Sequence, residues 1–351
     1  MTHILSKSMG EGMPGFGESE KRIDTLLEGT SRSFFLSLKV LPKKIRRQIG
    51  LTYLLARLAD TIADSKVGEN KLLLQCLKEY NLRIQNQNKK LPDFNELATI
   101  QENKAEAELL YDAKIPVNYL EKSDNFTDLD REKIRYCLDI IIGGQSLDLE
   151  RFTDASGKKI IALDSEEELD DYTYRVAGCV GEFWTHMSLD HLFRMESKEK
   201  EVIFEKAVNF GKSLQLINIL RDLPEDLLMG RCYLPRNTLT EYNLNPEDLL
   251  DPENIETFRP LFNSYVEVAS SYLDNAVEYI EMLPKNQYRL RLSCMLPVLI
   301  GQRTLILLKE GNILNPDNRI KVLRPEIKKI MRKSFWLCLT RKNPKKMINI
   351  T

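Results

Sequence analysis

From about residue 43 to residue 339, apolar side chains recur at steps of three and four, and alternation of β-branched residues is scarce. Such steps line up one stripe of a helix, whereas a strand repeats every two residues. Helical patterns cover about 43–66, 68–90, 96–111, 129–152, 166–195, 198–230, 260–283, 288–310 and 324–339. Pro42, Pro92, Pro116, Ser156-Gly157, Pro235, Pro246, Pro252, Pro284 and Pro316 fall between them as breakers. No internal repeat and no low-complexity linker divides the chain. The expected fold is all-α, a single large helical domain over 21–351 after a loose Gly-, Ser- and Glu-rich arm at 1–20.

Composition then removes several functions. The 51 Lys+Arg balance 52 Asp+Glu, so there is no basic excess of the kind that binds nucleic acid. Cys76, Cys137, Cys179, Cys232, Cys294 and Cys338 lie tens of residues apart with no CxxC pair, which suits reduced core thiols better than a zinc or redox site. With His3, His186 and His191 as the only histidines, carboxylates, arginines and tyrosines must carry any chemistry. Gly10, Gly12 and Gly15 match GxGxxG, but no strand precedes them, so a dinucleotide fingerprint is not expected. Residues 1–20 lack the basic-then-apolar pattern of a secretory signal. No stretch approaches the roughly 18 uncharged apolar residues of a membrane span. A cytoplasmic protein is expected.

Two helical patterns carry acidic stripes. In the first, Tyr53, Arg57, Asp60 and Asp64 share one face, while Leu51, Leu55, Leu58 and Ile62 form a separate apolar stripe. About 160 residues later, Gln215, Asn218, Asp222 and Asp226 share a face, flanked by Arg221 and Glu225 and opposed by Leu216, Leu220, Leu223 and Leu227. Pro224 should kink or loosen that turn. Either stripe alone reads as a solvated acidic face as readily as a site. Together they would form an apolar cavity with a carboxylate cluster at its mouth, suited to Mg²⁺ and a diphosphate bearing an apolar tail. Arg57 and Arg221 would supply donors to the same anion.

These residues resemble the squalene/phytoene synthase family. The resemblance runs through Ser31-Arg32-Ser33-Phe34, Tyr53-x-x-x-Arg57-x-x-Asp60-x-x-x-Asp64, Tyr172-Thr-Tyr-Arg-Val-Ala-Gly-Cys-Val-Gly181, Gln215-x-x-Asn218-x-x-Arg221-Asp222-x-x-Glu225-Asp226 and Gly230-Arg-Cys-Tyr-Leu-Pro235, from about 28 to 310. It implies the all-α isoprenoid synthase fold, a central active-site cavity and head-to-head condensation of two prenyl diphosphates. On that basis Asp60, Asp64, Asp222 and Asp226 hold Mg²⁺. Ser31, Arg32, Phe34, Arg57, Gln215, Asn218, Arg221 and Glu225 bind substrate, and Asn218 is a possible further metal ligand. Tyr53, Tyr172 and Tyr233 line the carbocation site. Ala177-Gly178 and Gly181 either give room to the prenyl chains or let helices approach closely, two readings of equal weight.

The implied product is squalene, made from farnesyl diphosphate through presqualene diphosphate with NADPH. Asp60-Thr61 resembles the DTxxD of squalene synthases rather than the DDxxD of enzymes making phytoene or dehydrosqualene; Ala63 departs from the squalene pattern. Arg319-Ile-Lys321 resembles a basic pair near the NADPH phosphate. Chain length and the final product stay open, with phytoene, dehydrosqualene or presqualene diphosphate as alternatives. A chain-elongating prenyltransferase, a terpene cyclase or a non-catalytic assembly protein of the same fold fits the motifs less well. Between Lys321 and Lys346 there are ten Lys/Arg and one acid, Glu326, with Ile327, Ile330, Met331, Phe335, Trp336 and Leu339 as an apolar complement. This basic amphipathic segment suits either peripheral contact with a membrane or a last core-packing helix. Oligomeric state has no signature here.

Overall fold

A computed structural model of the protein describes residues 16–31, 34–65, 70–317 and 319–339. The expected patterns form helices α3 (Lys43–Ala63), α4 (Asn70–Ile84), α5 (Asn95–Ile100), α6 (Lys104–Tyr111), α8 (Asp128–Arg151), α11 (Ser197–Leu228), α13 (Ile255–Met282), α14 (Tyr288–Glu310) and α15 (Arg324–Leu339). Short α12 (Arg236–Glu241) follows Pro235. Local chemistry sets several starts. Thr127 and Asp130 form a reciprocal capping box on α8, and the Asn103 side chain accepts from the Ala105 N–H at the head of α6.

Three further helices had no expected counterpart. α1 (Phe16–Ser31) begins inside the stretch expected to be a loose arm, and α2 (Phe34–Val40) follows it. α1 is held by Ile23, Leu26 and Leu27, all buried, a stripe too short to stand out beside the glycines. α7 (Lys114–Lys122) contains Pro116, read above as a breaker. Pro116 sits in the first turn, where its missing N–H costs no helical hydrogen bond. The pattern at 166–195 is divided. α9 (Glu166–Thr173) passes through a π-helical turn at Tyr174–Gly178 into α10 (Cys179–His191). The β structure among the described residues is a two-residue parallel pair, β1 (Ile161–Ala162) with β2 (Arg231–Cys232), and an isolated antiparallel bridge between Ser156 and Lys159.

α11 is the central pillar, packed against α13, α10, the π turn and α14, while α3 packs on α8. Pro224 does not end α11, which continues to Leu228. Ala177 and Gly181 meet α11 at a very close crossing. A Cβ on Gly181 would lie 2.0 Å from the Ala207 carbonyl oxygen, and one on Gly211 would lie 2.1 Å from that of Ala177. Close helix approach is therefore the reading that geometry requires for Gly181. α14 has the length and apolar composition to cross a membrane, but most of that stretch is buried as a core helix would be. In α15, Ile330 is buried and Ile327 packs against the core, while Arg303 on α14 reaches Glu326 at 2.6 Å. The side chains of Phe335, Trp336 and Leu339 lie outside those described.

Candidate active site

α3, α8, the π turn with α10, α11 and α14 enclose a cavity of about 440 Å³, large enough for a small-molecule ligand. Its walls are mostly apolar, with Ile49, Ile141, Val176, Phe183, Phe210 and Leu214 among them. The π turn adds a residue to the helical repeat, so Val176 and Ala177, then Val180 and Gly181, all reach the same wall. Tyr53, Arg57 and Asp60 border the cavity from α3, Gln215 from α11, and Phe34 from α2, its ring stacked 4.7 Å from that of Tyr53.

The polar end is a dense ionic network. Arg57 pairs with Asp60 on its own helix and with Glu106 of α6. Gln145 of α8 donates to the second Asp60 oxygen at 3.1 Å. Arg221 makes a two-pronged contact to Asp222 at 2.8 and 2.5 Å. Arg231 lies 3.8 Å from Asp64 and 3.4 Å from Asp148. Gly230 aims it there: its φ of +85° turns the chain out of α11 into β2, and a Cβ would fall 2.3 Å from the Ser156 nitrogen.

Carboxylates outnumber their partners. Burial raises the pKa of Asp60, and Glu106 adds to this, while Arg57 and Gln145 oppose it. Burial and then Asp60 push Asp64 up to about 7, against Arg231. Asp64 keeps 60 % of its side chain open to water at the rim, so solvent screens part of that push. Asp226 is pushed up to about 8 by burial and by Asp222, with Asp148 and Asp64 contributing. Burial opposes the charge on Arg57, yet Asp60 and Glu106 outweigh it and hold the guanidinium firmly protonated. The surplus negative charge is what a hard divalent cation would neutralise. Among the described residues, no three acidic or other ligating side chains converge on one point.

The expected residues divide by place. Tyr53, Tyr172, Phe34, Arg57, Asp60 and Gln215 line the cavity; Asp64, Asn218, Arg221, Asp222 and Asp226 continue the same faces of α3 and α11. Tyr233 does not line it. Its ring stacks behind Tyr172 at 4.7 Å and its hydroxyl donates to Asp148. Ser31 is buried and donates back to the Leu27 carbonyl, so its proton is turned into its own helix. Arg32 lies outside the described residues. Glu225 accepts from Arg319 at 3.2 Å, which brings the segment before α15 to the flank of the second stripe; Lys321 is exposed two residues on. Asp148, Gln145, Glu106 and Arg231 were not anticipated. Gln145 and Asp148 share a face of α8 at a spacing of three, a weak signal. Glu106 has none, because its partner is distant in sequence; Arg231 stood within the Gly230–Pro235 motif but with no role of its own.

A model of the squalene/phytoene synthase family matches residues 27–326. The bifunctional lycopene cyclase/phytoene synthase of Podospora anserina is 29% identical over 234 residues, 64% of this chain and 37% of that protein. The squalene synthase of Saccharomyces cerevisiae is 26% identical over 261 residues, 73% of this chain and 54% of that protein. The chain thus spans about half or less of the length of these curated relatives. In fold it is similar to TcSQS in complex with the ligand E5700, with a TM-score of 0.74 at 19% identity, covering 95% of this chain and 96% of the other. A dehydrosqualene synthase in complex with a ligand gives 0.64 at 20% identity, covering 93% and 99%.

Proposed function

Since the chain belongs to the squalene/phytoene synthase family, we propose that it joins two farnesyl diphosphates head to head, through presqualene diphosphate, to squalene. The observation that carries this reading is one apolar cavity bordered by Asp60 of α3, with Asp64 at the end of that helix close enough to Asp226 of α11 to act on its charge. Asp60, Asp64, Asp222 and Asp226 would hold Mg²⁺, which when bound supplies the charge that lets a diphosphate leave. Arg57 and Arg221, locked by their carboxylate partners, present fixed donors toward the same oxygens. The apolar walls exclude water while an allylic cation exists, and the faces of Tyr53 and Tyr172 attract its charge. The second substrate's double bond attacks that cation, a proton is lost, and a cyclopropane closes.

Two features support squalene over a desaturated product. Position 61 is Thr, and its hydroxyl bonds to the Arg57 carbonyl while the residue is buried, so this site faces the core and offers substrate no extra carboxylate. Arg319 is anchored beside Glu225 at the site's flank, where it and Lys321 would take the phosphate of NADPH, the source of hydride. The test is a product assay with purified protein, farnesyl diphosphate and Mg²⁺, with and without NADPH, read by mass spectrometry. Squalene formed only with NADPH is the expected result. Dehydrosqualene, or accumulated presqualene diphosphate, regardless of NADPH would overturn the product assignment, as would turnover of geranylgeranyl diphosphate alone. Peripheral contact of the basic 321–346 segment with membrane is a further part of this reading. Flotation with anionic liposomes that leaves the protein wholly soluble would remove it.

A further inference from the structure

Asp148 belongs to neither acidic stripe, yet it stands beneath both. It follows Gln145 by three residues on α8 and is 5% exposed. One oxygen, Oδ2, accepts from the Tyr233 hydroxyl at 3.1 Å and from Arg231 at 3.4 Å. The other, Oδ1, is buried with no hydrogen-bond partner. Burying a carboxylate oxygen unpaired is costly, so stability alone is a poor reason to keep Asp here.

The two contacts lead to different parts of the site. Tyr233 is held between Phe152, edge-on at 5.1 Å, and Tyr172, stacked at 4.7 Å with 24° between planes. Tyr172 is the cavity wall. Arg231, in turn, is shared with Asp64 at 3.8 Å. A guanidinium held wholly by Asp64 would compete with a cation for that carboxylate; one drawn toward Asp148 competes less.

We propose that Asp148 is a positioning residue with two arms, one fixing the Tyr233–Tyr172 stack against the cavity and the other drawing Arg231 away from Asp64. The first arm rests on the prenyl-condensation reading, because it concerns the wall that faces the cation. The second needs only that Asp64 binds a divalent ion.

The test uses the full chain with Asp148→Asn, Asp148→Ala, Tyr233→Phe and the Ala/Phe double variant. Each is measured for kcat and KM with farnesyl diphosphate, for Mg²⁺ binding with inorganic diphosphate by calorimetry, and for Tm. Tyr233→Phe and Asp148→Ala should each lower kcat about three- to tenfold, the worth of one buried hydrogen bond, and the double variant no further. Asp148→Asn keeps an oxygen that accepts from Tyr233, so at saturating Mg²⁺ it should lose less kcat than Asp148→Ala. It loses the charge that holds Arg231, so Mg²⁺ binding should weaken about three- to tenfold. Tyr233→Phe should leave Mg²⁺ binding unchanged. Multiplicative kcat losses, or equal losses in Asn and Ala, would overturn the first arm. Unchanged Mg²⁺ binding in Asp148→Asn would overturn the second, and a fall in Tm with every other reading normal would reduce Asp148 to a structural role. A wild-type protein that turns over no prenyl diphosphate would count against the functional reading, while the calorimetry would still decide the Arg231 arm.

Discussion

At the scale of single residues, Asp60 and Asp222 bear most of what is claimed for the site. Asp60 is held in place by Arg57 and Gln145 although burial and Glu106 oppose its charge. Asp60→Asn removes that opposition and Asp222→Asn leaves an isosteric amide, so neither should harm the fold. Turnover should nevertheless fall at least about 10²–10³-fold, the range for losing one group that stabilises transition-state charge. Near-normal kcat in either variant would end the metal assignment. These aspartates were legible because steps of three and four are a local property of the chain. Asp148, Glu106 and Arg231 were not, since nothing near Glu106 in sequence shows that α6 will lie against Arg57, and nothing near Arg231 points to Asp148. Tyr233 shows the opposite error: its resemblance suggested the cavity wall, but packing placed it one layer behind Tyr172.

At the scale of elements, the crossing of α11 with the π turn and α10 decides the cavity's shape. Gly211→Ala should destabilise by at least about 1–3 kcal/mol, because its Cβ would meet the rigid Ala177 carbonyl rather than a flexible side chain. A denaturant midpoint equal to wild type would show that the helices can part. If they do part, Val176 and Ala177 move with them, and product chain length is the property to watch. Long helices were readable from their stripes, whereas α1 and α2 were not: seven residues make barely two turns, and α1 shows its apolar stripe beside a glycine-rich segment. The π turn was equally hidden. Its extra residue answers a tertiary contact between Gly211 and Ala177 that no window of local sequence contains.

At the scale of the whole molecule, the site's charge couples stability to pH and to metal. Asp64 and Asp226 are raised from 3.8 to about 7 and about 8 in the fold. A carboxylate raised on folding contributes stability that is complete below its unfolded value and is lost as pH rises through its folded value. The metal-free protein should therefore lose this contribution progressively from about pH 4, the unfolded value, to about pH 8, the higher folded value. On the proposed reading, Mg²⁺ would take the place of those protons. Its stabilising shift in Tm, measured with inorganic diphosphate against EDTA, should be larger at pH 8.5 than at pH 6. Equal shifts at both pH values would separate the raised carboxylates from the metal. The central claim, that two diphosphates are condensed at this one site, is tested most directly by stoichiometry. Wild-type protein and Asp222→Asn are given farnesyl diphosphate with Mg²⁺ and NADPH, and released diphosphate is counted against hydrocarbon formed. Two diphosphates per thirty-carbon product with wild type, and neither with Asp222→Asn, is the predicted result. One diphosphate per fifteen-carbon product, or equal output from both proteins, would contradict it.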